Sequence, residues 1–249
     1  MSISLASLEA PKRRPLISTI CADGGMGKTS LAALWPGVVF IRTEDGSRSI
    51  ENRQDIAMFP VAKTTAEVFE ALDALTKRDE HPFATVVIDS VTQFNVLAEQ
   101  EVIASDPKAK SINTALGGYG AGYAAVAAIH FQLRTACQVL ADKCGMHVVF
   151  IAHADVETID LPDQPQFSRY TIRMNKKSVS NYTDNVDIVA FIKLKMFLAG
   201  EEGNKKAGST GDRIITCYPH PAHVSKNRLG IKADLPFVEG VNPFAEYLV

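Results

Sequence analysis

Cysteine is scarce, and the four present, Cys21, Cys137, Cys144 and Cys217, lack the close paired spacing of a zinc ribbon. The N-terminus also lacks the charged, apolar, small-residue order of a secretory signal, so the thiols read as reduced and the protein as cytoplasmic. No apolar run approaches the roughly 18 residues of a membrane span. The longest, such as 148–152, are strand-sized, which excludes a membrane-spanning helix. An excess of one charge is missing too: 26 lysines and arginines face 28 aspartates and glutamates, a net charge of −2. A polycation of the histone kind is excluded, and any nucleic-acid contact must come from a local patch.

What is present suits a folded globular protein. With 46% hydrophobic and 22% charged residues over 249 positions, disorder is excluded as the main state, and the length fits one large domain or two small ones. A chain of this size buries roughly 70 to 75% of its unfolded surface and needs neither metal nor disulfide for stability. Residues 1–14 end in Lys12-Arg13-Arg14 and read as a flexible lead-in, leaving 15–249 as a single domain without internal repeats.

Within that domain strand-length apolar runs alternate with helical stretches. Strands are predicted at 16–21, 38–42, 85–88 and 147–152, and helices at 28–34, 65–77, 91–104 and 124–143. In the second helix Val68, Leu72 and Leu75 share one face. Continuous β-branched runs such as 85–88 are the mark of strands covered on both faces. The pattern predicts an α/β fold with a mostly parallel central sheet flanked by helices. Residues 117–123 read as a glycine and tyrosine loop. Residues 156–170, holding Pro162 and Pro165 without a clear period, read as a long functional loop. Further strands at 187–194 and 214–218, with 201–211 as the hairpin tip between them, form a C-terminal β extension.

The most informative segment is Ala22-Asp23-Gly24-Gly25-Met26-Gly27-Lys28-Thr29-Ser30, after a predicted strand and opening a predicted helix. This is the context of a phosphate-binding loop. Glycines let backbone N–H groups curl round phosphate oxygens, Lys28 reaches the β and γ phosphates, and Thr29 can hold Mg²⁺. The pattern departs from the usual one where Ala22 replaces the first glycine, and Gly24, Gly25 and Gly27 supply the remaining freedom. The plain alternative is an ordinary strand-to-helix turn. Asp89, closing Val86-Val87-Ile88-Asp89-Ser90, is the candidate second magnesium residue, with a helix cap as its plain alternative.

Ligands of open α/β sheets collect at the carboxyl ends of strands. Glu44 in Thr43-Glu44-Asp45-Gly46 is therefore the candidate for orienting or deprotonating the attacking water, while Asp45 holds the turn. His153, after Ile151-Ala152, is placed to sense the γ-phosphate and inform the loop that follows, or is merely a structural hydrogen-bonder. Lys226 and Arg228 sit one residue apart on an extended stretch, so both point one way and suit a developing phosphate charge. Donated by a neighbouring subunit, such an arginine makes hydrolysis depend on assembly. The alternative is a solvated basic strand edge.

Together the Gly-Gly-Met-Gly-Lys-Thr loop, Thr-Glu-Asp-Gly, Val-Ile-Asp-Ser, Ile-Ala-His and Lys-Asn-Arg-Leu-Gly resemble the RecA-like P-loop ATPase core over roughly residues 15–232. The nearest likeness is to bacteriophage ATP-binding proteins of single-strand annealing and recombination, with hexameric replicative helicases more distant. The resemblance implies an ATPase using ATP and Mg²⁺ that acts on single-stranded DNA. It also implies a homo-oligomer, ring or filament, with nucleotide at the subunit interface. Lys226 and Arg228 would then act in trans, Glu44 would be the catalytic acid and His153 the phosphate sensor. A single-strand-binding protein is a possible further partner.

DNA contact is then expected on 117–123 and 156–177. Lys176, Lys177, Arg169 and Arg173 would neutralise phosphates, and Tyr119, Tyr123, Phe167 or Tyr170 would stack on bases. From Arg169 to Lys195 six cations face two aspartates, a local surplus of four. Cys217, His220 and His223 do not read as a zinc site, because Pro219 and Pro221 interrupt them and no fourth ligand lies nearby. The function expected is a Mg²⁺-dependent, DNA-stimulated ATPase promoting annealing or strand exchange. The competing readings are a hexameric helicase motor, a nucleotide-gated binding module with little hydrolysis, and a small-molecule kinase.

Overall fold

A computed structural model describes residues 8, 10, 12–199 and 206–248. The expected lead-in at 1–14 falls largely outside the described residues, and the start of the expected hairpin tip, 201–205, falls wholly outside them.

Ten strands and five α-helices are formed by the described residues. The strands are β1 (Ile17–Ala22), β2 (Val38–Arg42), β3 (Ala57–Met58), β4 (Thr85–Asp89), β5 (His147–Leu161), β6 (Gln164–Ile172), β7 (Ile188–Ala199), β8 (Lys206–Thr216), β9 (Lys226–Asn227) and β10 (Leu235–Pro236). The helices are α1 (Lys28–Ala32), α2 (Thr65–Ala74), α3 (Val91–Ser105), α4 (Ala121–Cys144) and α5 (Lys176–Thr183). The sheet runs β10-β8-β7-β1-β5-β4-β2-β3, with β6 beside β5 and β9 beside β7. From β7 to β3 neighbouring strands are parallel, while β8, β9 and β10 add an antiparallel C-terminal extension. This is the α/β fold, with a mostly parallel central sheet flanked by helices and a C-terminal β extension, anticipated from the alternation of strands and helices.

Both faces of the sheet are covered, which is why its central strands read as unbroken apolar runs. Alternate residues feed two cores. Val86, Ile88, Val148, Phe150 and Ala152 face the α2, α3 and α4 side, while Val87, Val149 and Ile151 face Leu31, Trp35 and the C-terminal segment around Phe244. Each fully buried aliphatic or phenyl side chain contributes about 1.5 to 3 kcal/mol of burial free energy. Among the described residues no helix is long and apolar enough to cross a membrane.

Two segments differ from the sequence expectation in a way that matters for the site. Residues 156–170 are not a loop: β5 continues past the sheet to Leu161 and returns as β6, a two-stranded ribbon. The prolines hid it, because Pro162 lies in the turn and Pro165 sits near the ribbon's tip, away from the stretch around Tyr170 that pairs with residues 222–224. Glu157 and Arg169 face each other across the ribbon and form an ion pair at 2.7 Å. Lys176 and Lys177, at the end of the 156–177 stretch expected to meet DNA, open helix α5, whose N-cap Asn175 accepts from the Lys177 backbone N–H at 3.1 Å. Smaller shifts affect α1 and α2, which end earlier than expected, and α4, which begins at Ala121. That early start requires Gly122, since a Cβ there would lie 2.4 Å from the Ile112 carbonyl oxygen.

Helix α5 is fastened by a buried polar chain. Tyr182 is fully buried, and its hydroxyl lies 2.6 Å from His130 Nδ1 on α4. His130 Nε2 lies 3.1 Å from Asn95 Oδ1 on α3, and Thr19 of β1 donates to the Tyr182 carbonyl at 2.7 Å. An amide oxygen only accepts, so Nε2 carries the proton and Nδ1 takes the tyrosine hydroxyl's hydrogen. Burial holds the imidazole neutral by pushing its pKa down to about 4. The Tyr182→Phe variant strands Nδ1 without a donor. It should lower unfolding free energy by about 1 to 3 kcal/mol in urea titrations at pH 7, and an unchanged midpoint would show that the chain does not hold α5.

Candidate active site

Four adjacent strands, β1, β5, β4 and β2, end side by side and present the residues singled out from the sequence. Ala22 pairs with His153, Ile151 with Asp89, and Asp89 with Arg42, so register alone gathers Lys28, His153, Asp89 and Glu44. They line one cavity of ≈ 530 Å³ together with Gly25, Gly27, Thr29, Ser30, Arg48 and Arg213.

Lys28 is 7% exposed, and its ammonium is held by the Ala22 carbonyl at 3.0 Å and the Asp23 carbonyl at 2.8 Å. Burial lowers its pKa, and nearby anions led by Asp89 and Glu44 among the carboxylates oppose that shift. At position 22 it is the backbone carbonyl that meets Lys28, while the alanine methyl is buried in the core. Gly24 and Gly25 stand clear, since a Cβ on either would meet nothing within 4 Å, while Gly25 and Gly27 take positive φ values of 74° and 89°. Met26 and Asp23 complete the loop's backbone. The loop thus borders open space at Gly24 and Gly25, where its peptide groups suit contact with an anion.

On the far side of Lys28 the histidine and the glutamate form one relay. Lys28 Nζ lies 3.4 Å from His153 Nδ1, His153 Nε2 lies 3.0 Å from Glu44 Oε1, and Ser90 Oγ donates to the same carboxylate oxygen at 2.6 Å. An ammonium only donates and a carboxylate only accepts, so His153 is the Nε2–H tautomer, accepting from Lys28 and donating to Glu44. The hydrogen bond from His153 draws the Glu44 pKa down, burial opposes this, and Ser90 reinforces it. Glu44 is therefore an anion at neutral pH. Thr43 locks the two strand ends: it donates from its backbone to Asp89 O at 2.8 Å and from its hydroxyl to Ser90 O at 2.8 Å.

Asp89, 5% exposed, accepts from Thr29 Oγ1 at 2.9 Å. Burial pushes its pKa up to about 6, with Glu44 adding to the rise and the Thr29 hydrogen bond and Lys28 opposing it. A hydroxyl and a carboxylate in contact beside an open glycine loop are the hard oxygen donors that Mg²⁺ prefers, so Thr29 and Asp89 fit the role of holding a magnesium ion. Asp45 is mostly exposed and pairs with Arg42 at 3.7 Å, outside the relay.

Not every candidate gathers here. Lys226 and Arg228 do share one direction, but Arg228 pairs with Asp187 at 3.2 Å, and both side chains reach the Asp184 carbonyl. Asp187 in turn accepts from the Ile17 backbone N–H at 3.0 Å, at the start of β1. The phosphate loop follows the opposite end of that six-residue strand, about 20 Å away at roughly 3.3 Å per residue. Among the DNA candidates, Arg169 is already paired with Glu157, and Lys176 lies 3.6 Å from the same carboxylate. Arg173 donates to the Ala154 carbonyl, and Tyr170 packs on Phe191 with ring centroids 5.1 Å apart. Phe167 is half-buried on the ribbon and Tyr123 half-buried in α4. Tyr119 is fully exposed. It belongs to a run, 116–120, in which every residue has positive φ, including the non-glycines Leu116 at 55° and Tyr119 at 51°. Lys177 ties α5 to this loop by donating to the Gly120 carbonyl at 3.2 Å.

Sequence reasoning named the acids and the histidine but missed Ser90, Thr43 and Arg213. The first two stand inside the quoted motifs, but only the fold shows which groups their hydroxyls meet. Arg213 comes from β8, and its NH1 donates to the Met26 carbonyl at 3.2 Å.

Comparison with known proteins follows from this geometry. Residues 14–229 match the AAA domain family. No curated protein matches the chain. Among solved structures, a KaiC-like protein from the hyperthermophilic archaeon Pyrococcus horikoshii OT3 is 13% identical, with a TM-score of 0.46 over 90% of this chain and 86% of that one.

The raised Asp89 carboxyl has a testable sign. Its folded pKa of about 6 exceeds the ordinary 3.8, so its contribution to stability is fully present below 3.8 and is lost as pH rises through 6. In ligand-free protein the Asp89→Asn variant should therefore melt above wild type at pH 7 to 8. That advantage should shrink steadily as pH falls towards 4, and a difference independent of pH would show that the carboxylate is not desolvated.

Proposed function

We propose, since the chain belongs to the AAA domain family, that this P-loop protein is a Mg²⁺-dependent ATPase that works as a homo-oligomer on single-stranded DNA. The observation that carries this reading is the contiguous set Thr29–Asp89 and Lys28–His153–Glu44 at the mouth of the glycine loop. The backbone of 23–28 would cradle the phosphates and Lys28 would neutralise them. Bound magnesium would supply electrostatic stabilisation of phosphate charge. Glu44, kept ionised by His153, is the group that would orient the attacking water. His153 would compare Lys28 with Glu44. Its Nδ1 would lose the Lys28 contact when the ammonium moves towards phosphate, and its own strand β5 runs directly into the ribbon.

Assembly enters through Lys226 and Arg228. Their place at the opposite end of β1 keeps them from their own chain's loop and supports a role towards a neighbour's nucleotide. There an arginine finger typically gives about 10³ to 10⁵ in rate. The DNA part of the proposal rests on the fully exposed Tyr119, held out by a loop whose left-handed non-glycine residues each cost about 1 to 3 kcal/mol. Lys177, beside that loop at Gly120, and Lys176 next to it add cations. Aromatic stacking next to lysines suits single strands of any sequence. The ribbon itself suits DNA less: it carries Asp155, Glu157, Asp160 and Asp163 against Arg169. Annealing or strand exchange in recombination, of the bacteriophage type, is the activity this reading favours, with a single-strand-binding protein as accessory.

ATP turnover with and without single-stranded DNA tests the proposal. Wild type should hydrolyse ATP faster with DNA, and Lys28→Ala should fall to background. Arg228→Ala doped into wild type should lower the rate more steeply than its mole fraction. A linear decline with dose would place Arg228 outside a shared site, and turnover by Lys28→Ala equal to wild type would remove the ATPase assignment.

A further inference from the structure

The phosphate-loop cavity has a second cation-lined wall that the relay does not use. Arg213, from the C-terminal strand β8, lies with its guanidinium 4.0 Å over the ring of Phe237. Its NH1 donates to the Met26 carbonyl, and a Cβ on Gly27 would stand 2.5 Å from NH1 and 2.9 Å from the Phe237 ring. Gly27 is therefore bare where the guanidinium packs on the loop. Among the described residues Arg213 has no acidic partner and makes that one hydrogen bond. Its guanidinium carries five N–H donors and lines the cavity of ≈ 530 Å³. Phe237 is held in turn by its backbone N–H donating to the Arg213 carbonyl at 3.0 Å, next to the pairing of β10 with β8.

Sheet order says which part of a ligand this wall meets. Glu44, Asp89 and His153 approach the loop from β2, β4 and β5, all on one side of β1, whereas β8 lies on the other side, beyond β7. A triphosphate whose terminal group turns towards Lys28, His153 and Glu44 must extend its other end away from them. We propose that Arg213, braced on Phe237, binds the nucleoside end of the nucleotide, at the α-phosphate and ribose, and so sets affinity without taking part in cleavage. This rests on the nucleotide reading of the cavity. A planar guanidinium stacked on a phenyl ring is pre-organised to donate to such oxygens, and a lysine ammonium is not.

Equilibrium dialysis with labelled ADP and ATP in the presence of magnesium tests the assignment, beside kcat and thermal unfolding of each variant. Arg213→Ala should weaken ADP and ATP by the same factor, about ten- to a hundredfold, with kcat at saturating ATP within about twofold of wild type. Arg213→Lys, which keeps the charge and the aliphatic stem, should recover only part of the affinity and carries the same comparison if the alanine variant does not fold. Weakening of ATP alone, or a fall in kcat, would move Arg213 to the γ-phosphate end and overturn the proposal. Unchanged affinity for both nucleotides would reduce it to a prop for Phe237 and overturn it equally. Failure of wild type itself to retain either nucleotide would remove the nucleotide reading, a result distinct from both.

Discussion

An ammonium taken out of water organises this molecule. Lys28 opens helix α1 and brings its ammonium to the end of β1, a strand buried on both faces, where an isolated charge would be costly, and its neighbourhood is built to offset that cost. Two loop carbonyls and the unprotonated nitrogen of His153 receive its hydrogens, and Asp89 and Glu44 supply opposite charge nearby. Each of those partners is then constrained. His153 must keep its proton on Nε2, which turns it towards Glu44, and Glu44 is ionised as a result. Asp89, desolvated in the same place, keeps a high pKa despite Lys28. Two carboxylates and a buried cation thus share one strand-end crevice.

The surrounding fold can be understood as what holds that crevice at fixed width. Strands β1, β5, β4 and β2 pack apolar residues on both faces, so the spacing between Lys28, His153, Asp89 and Glu44 is set by the spacing of paired strands. Thr43 and Ser90 tie the ends of β2 and β4 where the ladder stops. The C-terminal strands extend the sheet away from the acids and return Arg213 and Phe237 to the loop from the other side. The His130–Tyr182 chain anchors α5, and through Lys177 the Tyr119 loop, to β1 and the core helices. The exposed ribbon and the Tyr119 loop are thus mounted on the same rigid sheet as the nucleotide crevice, and His153 lies at the junction.

Much of this was legible in the residues because of where they sit. Strand β2 was placed residue for residue, and α3 within one residue, since a doubly covered strand and a long periodic helix leave strong patterns. The crevice residues stood out because polar groups directly after such strands have one place to go. The ribbon was not legible: its alternation is broken by Pro162 and Pro165, and its ion pair between Glu157 and Arg169 depends on a cross-strand register that composition does not carry. Helix α5 was hidden by its polar sequence, Lys-Lys-Ser-Val-Ser-Asn-Tyr-Thr, in which one buried tyrosine does the anchoring. Arg213 was invisible for a third reason. Nearly two hundred residues separate it from Met26, and no local signal marks a contact made by strand order alone.

The central claim is that the glycine loop and its buried lysine grip a magnesium-bound triphosphate. Calorimetric titration of ATP into the folded, ligand-free protein, with magnesium and then with EDTA, tests it most directly. The account predicts a saturable heat at one nucleotide per chain that weakens strongly without the metal. No heat in either titration, from protein shown to be folded, would contradict it.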